Sequence, residues 1–414
     1  MRDIIGEHSK TSQKYLFENL SLETIFVICQ DRKYGCAVYS LPSILNKEKI
    51  IHMIIDISGG RSLDHLHLDE MGSGFIVHPF SSDNHDIKFI NKDIHLIEKS
   101  ESRKVDVLHS ELSFDELNSL FGHHNRNSSN NAPSINHKEA FHLSTEAQKK
   151  EYISLISKTI NEIKKGIFQK AVIARRKTLN LPTHFEPFSF FKSVANQYNN
   201  AFVYLTSNPK TGLWLGATPE TLISIDKNRH FKTIALAATQ AYREEVDLED
   251  TTWSQKDIEE QAMVSRYIIN CFKKIRLREF EEIGPRTHLS GNLVHLKTDY
   301  IVDMDQVAFP QLGTVMLELL HPTSAVCGMP KEPAQNFILN NEGFDREYFS
   351  GFLGPVNVLD ETNVFVNLRC MKIMHQKAKL FAGAGIISNS IPEKEWNETE
   401  IKMETLLKVL KPYC

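Results

Sequence analysis

The chain has 414 residues, and its 48 Lys and Arg against 52 Asp and Glu give a formal charge of −4. Hydrophobic residues make up 41% and charged residues 24%, proportions that are typical of a soluble globular protein. The near-neutral balance and the lack of a basic tract argue against nucleic acid as a partner. No apolar run approaches the roughly 20 residues of a membrane span, so we expect no membrane segment.

The cysteines and the first residues indicate the compartment. The six cysteines form no CxxC pair and no dense framework, and the opening MRDIIGEHSK lacks the basic-then-apolar order of a signal peptide. Both observations favour a reducing, cytoplasmic location and argue against a zinc site. We expect a monomer whose partner is a small molecule.

Residues 1–121 read as strands and short helices that complete a core. The β-rich runs are TIFVICQ (24–30), KIIHMIID (49–56) and GFIVHPF (74–80), and SFDELNSLFG (113–122) is predicted to be a capped helix. Residues 122–138 are rich in Asn and Ser, which predicts a flexible polar loop. We find no chemistry above background in this part of the chain.

After the loop, residues 145–414 contain runs of consecutive strands, and the helices stand apart from these runs. The segment 144–166 has helical periodicity and is followed by the strand FQKAVIARRKTL. Four more strand-like runs lie between residues 201 and 239, and VFVNLRCMKIM is predicted to pair with KLFAGAGIIS. Helices are predicted over 254–275 and 392–410. The pattern predicts one α+β domain over 1–414, with large antiparallel sheets and helices on their outer faces.

The two late helices carry acid pairs beside apolar stripes. In the first helix, Ile258, Ala262, Ser265, Ile269 and Phe272 recur at core spacing, and Asp257 and Glu260 lie on the neighbouring stripe. In the last helix, Glu395, Glu398 and Lys402 lie beside the apolar stripe that begins at Trp396. Two such pairs could converge on Mg²⁺, which favours one or two carboxylates plus water and substrate oxygens. The same pattern also fits solvated faces with a Glu398–Lys402 ion pair.

Two further residues are candidates for proton transfer. Strand alternation places Lys170, Val172 and Ala174 on one face, where loss of water favours the neutral amine of a general base. Alternatively, Lys170 is a strand-end lysine that extends to solvent. Glu220 lies between two apolar strands, so burial would raise its pKa and make it a general acid. It could equally be an ordinary turn carboxylate.

The remaining candidates are single residues with weaker signals. Gly383 and Gly385 lie inside a strand, where glycine indicates close approach of a ligand or another backbone. Arg369 supplies a fork for a carboxylate if it faces inward. His295 is either a polar contact or a buried histidine paired with the backbone.

Taken in order, several segments resemble the chorismate-utilising enzymes, which include isochorismate synthase, salicylate synthase and anthranilate synthase component I. The match covers about residues 145–414 and leaves the first third divergent. The segments are KAVIARRK, GATPETL, SQKDIEEQ, LSGNLVHL, LHPTSAVCGMP, FDREYFSGFLGPV, VNLRC and AGAGIISNSIPEKEWNETEIK. The chain looks most like isochorismate synthase, because LHPTSAVCG resembles the LHPTPAVCG form of that branch. Ala325 stands where salicylate and anthranilate-type enzymes tend to carry Thr.

The resemblance implies a function and roles for individual residues. It implies Mg²⁺-dependent conversion of chorismate to isochorismate, with Lys170 activating a water that attacks ring C2 and Glu220 protonating the leaving C4 hydroxyl. Glu260 and Glu398 would bind Mg²⁺, with Asp257 and Glu395 as further or water-mediated partners. The positions that would contact or line the substrate pocket are Thr239, His295, Ala325, Phe349, Arg369, Gly383, Gly385 and Lys402.

Three departures and three alternatives accompany this expectation. The family's AGT reads Ala237-Ala238-Thr239 here, Gln261 replaces a common His, and Asp257 replaces a Glu found in some members. The alternatives are a salicylate synthase, a non-catalytic chorismate-binding homologue, and an aminating enzyme, which the missing PIAGTR segment disfavours. The product could feed menaquinone or a siderophore.

Overall fold

The computed structural model describes residues 20–43, 49–82, 86–99, 105–110, 112–121, 146–242, 245–290 and 293–413. The predicted loop over 122–138 and the predicted helix start at Ser144 lie outside these residues. The helices are α1 (Leu22–Asp31), α2 (Phe114–Phe121), α3 (Glu146–Lys164), α4 (Pro187–Gln197), α5 (Gln255–Lys274), α6 (Leu312–Leu320), α7 (Lys331–Asn341) and α8 (Pro392–Leu410). None of these helices combines the length and apolar character needed to cross a membrane.

The strands form two large antiparallel sheets. The first strands are β1 (Gly35–Ser40), β2 (Ile50–Asp56), β3 (Arg61–Leu63), β4 (Gly74–His78), β5 (Ile87–Asn91), β6 (Ile94–Lys99) and β7 (Val105–Ser110). They are followed by β8 (Lys170–Asn180), β9 (Phe202–Asn208), β10 (Gly212–Thr218), β11 (Thr221–Ile225), β12 (His230–Ala241), β13 (Glu281–Ser290) and β14 (Leu293–Asp303). The last are β15 (Gly328–Met329), β16 (Phe352–Val356), β17 (Thr362–Val366), β18 (Cys370–Met374) and β19 (Lys377–Ile386).

Sheet A has ten strands and sheet B has nine, and both take strands from the two ends of the chain. The order in sheet A is β15-β8-β19-β18-β10-β9-β1-β2-β6-β7, and in sheet B it is β13-β14-β12-β11-β17-β16-β4-β5-β3. Strands β1–β7 are divided between the two sheets, so the sequence before residue 121 is part of the same architecture as the motif-bearing region. This arrangement confirms the predicted α+β fold.

The sheets face each other across an aromatic layer, and helices cover their outer faces. Phe202 of sheet A stacks on Phe365 of sheet B with ring centres 4.1 Å apart and planes 4° apart. Helices α1, α4 and α8 pack on the outer face of sheet A, and α5 and α6 pack on sheet B. Helices α3 and α7 cover the edge formed by β8 and β19. Burial of each large aromatic side chain contributes on the order of 2–3 kcal/mol to this core.

Three predictions about local structure were wrong. The segment 24–30 belongs to helix α1, because Ser21 caps it and Leu22, Ile25, Phe26 and Cys29 bury one helical face despite the β-branched residues. The buried face of α5 also differs from the predicted one, since Ile258, which was predicted to lie on it, is 48% exposed. The residues that are buried there are Gln261, Val264, Ile268, Cys271 and Phe272.

VFVNLRCMKIM is not one strand. Its first half belongs to β17 in sheet B and its second half to β18 in sheet A, which alone pairs with β19. The chain crosses between the sheets at residues 367–369, and Arg369 has a positive φ of 48° at the crossing. The reason is that each half finds its hydrogen-bonding partners in a different sheet, which strand periodicity does not reveal.

Candidate active site

Two neighbouring crossings of the chain between the sheets place Glu220 and Arg369 together. The first crossing joins β10 of sheet A to β11 of sheet B through Pro219 and Glu220, and the second joins β17 to β18 through Arg369. The crossings are bonded to each other: Val366 N donates to Glu220 O at 2.9 Å and Ala217 N donates to Arg369 O at 3.1 Å. An acid and a guanidinium therefore share one region at the seam of the two sheets.

The Glu220 carboxyl is the strongly perturbed acid of this region. Burial raises its pKa to about 7, and the positive charges of Lys402, Lys170 and Arg369 oppose the rise. Desolvation exceeds the attraction of three cations, so the carboxyl carries a proton for a large fraction of the time near neutral pH. A proton-bearing carboxyl among cations is suited to act as a general acid.

Arg369 lies close enough to two acids, Glu220 and Glu398, for their negative charges to affect its pKa. Burial lowers its pKa to about 10, while Glu398, Tyr198 and Glu220 oppose the change. The guanidinium remains charged at neutral pH and is desolvated, which strengthens its interaction with an anion that enters the site.

Lys170 is the first residue of β8 and faces the space between the sheets, as the alternation predicted. It is 6% exposed, whereas its neighbours Ala171 and Ile173 pack against helices on the opposite face. The Nζ atom lies 3.4 Å from Glu260 Oε1. Gly385 makes room for this side chain, because a Cβ at Gly385 would lie 3.0 Å from Lys170 Cε.

The first turns of α5 and α8 approach each other beside Lys170. The positive charge of Lys256, one turn before Glu260 on α5, acts to lower the pKa values of both Glu395 and Glu398 on α8. Burial would raise the pKa of Glu398, but Lys402, Arg369 and Lys256 together lower it. Lys402 Nζ lies 2.6 Å from Glu398 Oε1, so the ion pair weighed from the sequence does form.

Glu260 and Glu398 fit a hard divalent cation with few protein ligands. Their side chains remain 38% and 47% exposed, so each carboxylate can accept a further ligand besides its lysine. In the described part of the chain, no three or more His, Cys, Asp or Glu side chains are grouped to hold a metal ion. Two carboxylates completed by water and substrate oxygens are a common way to hold Mg²⁺.

The expectation that four acids converge on a metal is therefore corrected. The Asp257 carboxylate caps α5, accepting from Ser254 N at 3.0 Å and from Ser254 Oγ at 2.6 Å in a capping box. Glu395 is 7% exposed, and burial raises its pKa, with a further rise from Glu398. The first acid stabilises the helix terminus and the second lies beneath Glu398.

The other two sequence departures, at Gln261 and Ala238, also have a structural account. Gln261 points into the core beneath α5, where Nε2 donates to Thr298 Oγ1 at 2.9 Å and to Ala235 O at 3.2 Å. Ala238 has a positive φ of 56° at a bulge of β12, a conformation that favours glycine. Its carbonyl accepts from His295 Nδ1 at 3.0 Å. Burial lowers the pKa of His295, so this ring is neutral and its tautomer is fixed by the carbonyl.

The other predicted pocket residues divide between the site and the core. Ala325 lines a small cavity together with Glu220. Gly383 O accepts a hydrogen bond from Lys402 Nζ at 2.8 Å. Phe349 is buried between the sheets and stacked on Phe381 with ring centres 5.4 Å apart. The side chain of Thr239 lies outside the described part of the structure.

Sequence reasoning missed the two arginines that fix β8. Arg346 and Glu342 form an ion pair of which each side chain is only 2% exposed. Arg346 also donates to Val172 O of β8 at 2.7 Å and to Val326 O at 2.8 Å, in the segment that contains Ala325. Arg175 packs over the Trp396 ring at 3.8 Å and donates to Thr399 Oγ1. The spacing of four residues between Glu342 and Arg346 was the available signal.

Comparisons with known proteins agree with this architecture. The model of the chorismate binding enzyme family matches residues 94–411, which is more than half of the chain. Isochorismate synthase EntC of Escherichia coli K12 is 32% identical over 204 residues, covering 48% of this chain and 51% of that protein. The vibriobactin-specific isochorismate synthase of Vibrio cholerae is 27% identical over 252 residues, covering 59% and 61%. The chain thus spans about half to six tenths of the length of these relatives.

The fold has a close match among solved structures. MenF, the menaquinone-specific isochorismate synthase from Escherichia coli, superimposes with a TM-score of 0.70 at 21% identity, over 95% of this chain and 92% of that one. At this identity the likeness shows the fold, with two large antiparallel sheets and outer helices.

Proposed function

Because the chain belongs to the family of chorismate binding enzymes, we propose that it is an isochorismate synthase that converts chorismate to isochorismate with Mg²⁺. The observation that carries the proposal is the shared environment of Lys170 and Glu220. These residues are 50 positions apart in the sequence, yet the charge of the lysine acts directly on the pKa of the glutamic acid. A base and an acid in one region are what a hydroxyl exchange on a ring requires.

Lys170 is the base of the proposed reaction. In its deprotonated form, the buried amine takes a proton from a water molecule as the water oxygen bonds to ring C2. Arg346 and Arg175 hold β8 in place, so the position of the amine relative to the substrate is set by the sheet and not by a loop. Gly385 leaves the lysine stem space to reach the cavity.

Glu220 is the acid of the proposed reaction. Its proton passes to the C4 hydroxyl, which leaves as water while the ring double bonds shift. The substrate gains one hydroxyl and loses another, so chorismate and isochorismate are isomers and no oxidant is needed. After turnover Lys170 carries the extra proton and Glu220 lacks one, and exchange with solvent restores both.

The cations and carboxylates of the site match a substrate with two carboxylates. Arg369 and Lys402 supply positive charge next to Glu220, and the partly desolvated setting strengthens their hold on an anion. Glu260 and Glu398 would hold Mg²⁺, which when bound supplies a counter-charge for the ring carboxylate. Without a cation, the two glutamates would repel that carboxylate.

The first test is product analysis. We expect purified protein with chorismate and Mg²⁺ to release isochorismate as the main product, separated by liquid chromatography. Salicylate with pyruvate as main products would overturn the choice in favour of a salicylate synthase. Absence of turnover, with chorismate still bound, would indicate the non-catalytic homologue.

The second test assigns the roles. We expect Lys170→Ala and Glu220→Gln each to lower isochorismate formation by on the order of 10²–10⁴-fold while chorismate still binds. Lys177→Ala is the matched control, because Lys177 is another buried lysine of β8, paired with Glu400 on the side away from the site. A near wild-type rate for either site variant would refute that role.

A further inference from the structure

A small, partly open cavity lies against Glu220, on the side of the PTSAVCG segment. Its volume is about 20 Å³. The hydroxyls of Thr233 and Tyr267, which also line it, donate to the carbonyls of Leu222 at 2.7 Å and Leu319 at 2.9 Å. These two hydroxyls are therefore already satisfied by the backbone.

Two other hydroxyls on the cavity wall have no such bond. Thr323 Oγ1 and Ser324 Oγ are both buried and have no hydrogen-bond partner within the described residues. Ser324 is only 2% exposed. Buried hydroxyls nearly always have a partner, because the loss of hydration is otherwise uncompensated. Two hydroxyls on neighbouring residues of one cavity wall, without a protein partner, are therefore available to bind a polar ligand.

The size of the cavity identifies the occupant. A single water needs roughly 10–15 Å³ of this kind of volume and two to four polar partners. The cavity offers about 20 Å³, the two hydroxyls and the Glu220 carboxyl.

We propose that Thr323 and Ser324 hold one ordered water against the Glu220 carboxyl and thereby act as positioning residues for this acid. The carboxyl is attracted by Lys402, Lys170 and Arg369 on its other sides, so a fixed water gives it a hydrogen bond that opposes rotation toward them. The role in catalysis rests on the proposed function, whereas the water site itself does not. Ser324 stands where the LHPTPAVCG form has proline, so the serine hydroxyl is this chain's own feature.

A pair of isosteric substitutions tests the water site without an activity measurement. Thr206 also has a buried hydroxyl with no partner in the described residues, but it does not line this cavity. Thr206→Val removes an uncompensated polar group, so we expect an unchanged or higher Tm. Thr323→Val removes a ligand of the water, so we expect Tm to fall by roughly 1–3 °C. A Tm for Thr323→Val that is unchanged or raised would overturn the proposal.

The positioning role is tested by kinetics and crystallography. We expect Thr323→Val to lower kcat by on the order of tenfold with KM within about twofold, because the acid is misoriented and substrate binding is intact. Thr323→Ser keeps the hydroxyl and should restore kcat, whereas a merely structural role would not distinguish it from valine. A high-resolution crystal structure should show the water in the wild type and lose it in Ser324→Ala. A wild type without this water refutes the inference. A wild type with the water but without isochorismate formation refutes only the proposed function.

Discussion

The buried ion pair between Arg346 and Glu342 gives a sharp prediction about what holds the site together. Each side chain is 2% exposed, and the Arg346 Nε atom donates to Glu342 Oε2 at 2.8 Å. The same guanidinium donates to the carbonyls of Val172 and Val326, and Glu342 Oε1 accepts from Ala174 N at 2.7 Å. One pair thus joins the strand of Lys170 to the segment of Ala325.

We expect Arg346→Met to lower the free energy of unfolding by about 4 kcal/mol. Removal of one member of a buried pair typically costs about 3–5 kcal/mol, because the other charge stays buried without a partner. Two carbonyls also lose their donor, although relaxation and water recover part of that cost. The substitution keeps most of the side-chain volume, so the effect is mainly electrostatic.

Urea unfolding followed by circular dichroism measures this loss of unfolding free energy, and two further variants test its cause. Arg229→Met is the matched control, because Arg229 pairs with Asp305 in an exposed bridge with side chains 45% and 73% exposed. We expect it to change stability by less than about 1 kcal/mol. The double variant Arg346→Met/Glu342→Leu should be more stable than Arg346→Met alone, since no buried charge remains. A loss below about 1 kcal/mol for Arg346→Met, or a double variant no more stable than Arg346→Met alone, would refute the reasoning.

Three further outcomes are expected. With Lys170 already in its deprotonated form, kcat/KM for chorismate should fall as pH rises through about 7, because Glu220 must carry its proton and its raised pKa lies there; a flat profile from pH 6 to 8.5 would contradict this pair of protonation states. Glu398→Gln should raise the Mg²⁺ concentration needed for half-maximal rate by on the order of tenfold, and an unchanged titration would remove its ligand role. Ala238→Gly should raise the unfolding free energy by about 0.5–1 kcal/mol, since it relieves the positive φ. Ala235→Gly, in the same strand without a positive φ, should lower it; stability changes of the same sign would contradict the strain argument.

The fold was predictable where the periodicity of a single segment defines a helix or strand. It was less predictable where pairing with distant strands defines the element. Strand β8, helix α8 and the buried stripe of α8 follow directly from periodicity. Helix α1 was read as a strand because five of its residues are β-branched or aromatic, and tertiary packing of its one apolar face decided the outcome. The division of VFVNLRCMKIM between two sheets depends on distant strands, which no local window contains.

The site was partly predictable for a similar reason. Residue type alone indicated that Lys170 and Glu220 could exchange protons, and the ordered motifs indicated the family, which the family match confirms. Spacing along a helix did not separate Glu260 from Asp257, because only the structure shows that a serine three residues earlier engages the second carboxylate. Phe349 matches a motif position, and only the structure shows that its ring stacks on Phe381 between the sheets.

By itself, the sequence determined helices α2, α3, α5 and α8, about half of the strands, the chemical groups available and the membership of the family, because these depend on neighbours in the chain and on ordered motifs. Only the tertiary structure decided that Glu220 and Arg369 meet at paired crossings between two sheets, 149 positions apart in the numbering. The physical reason is that backbone hydrogen bonding between β10 and β18, and between β11 and β17, sets where the chain changes sheets. Those bonds form between distant segments, and the surrounding burial then sets the protonation of the acid.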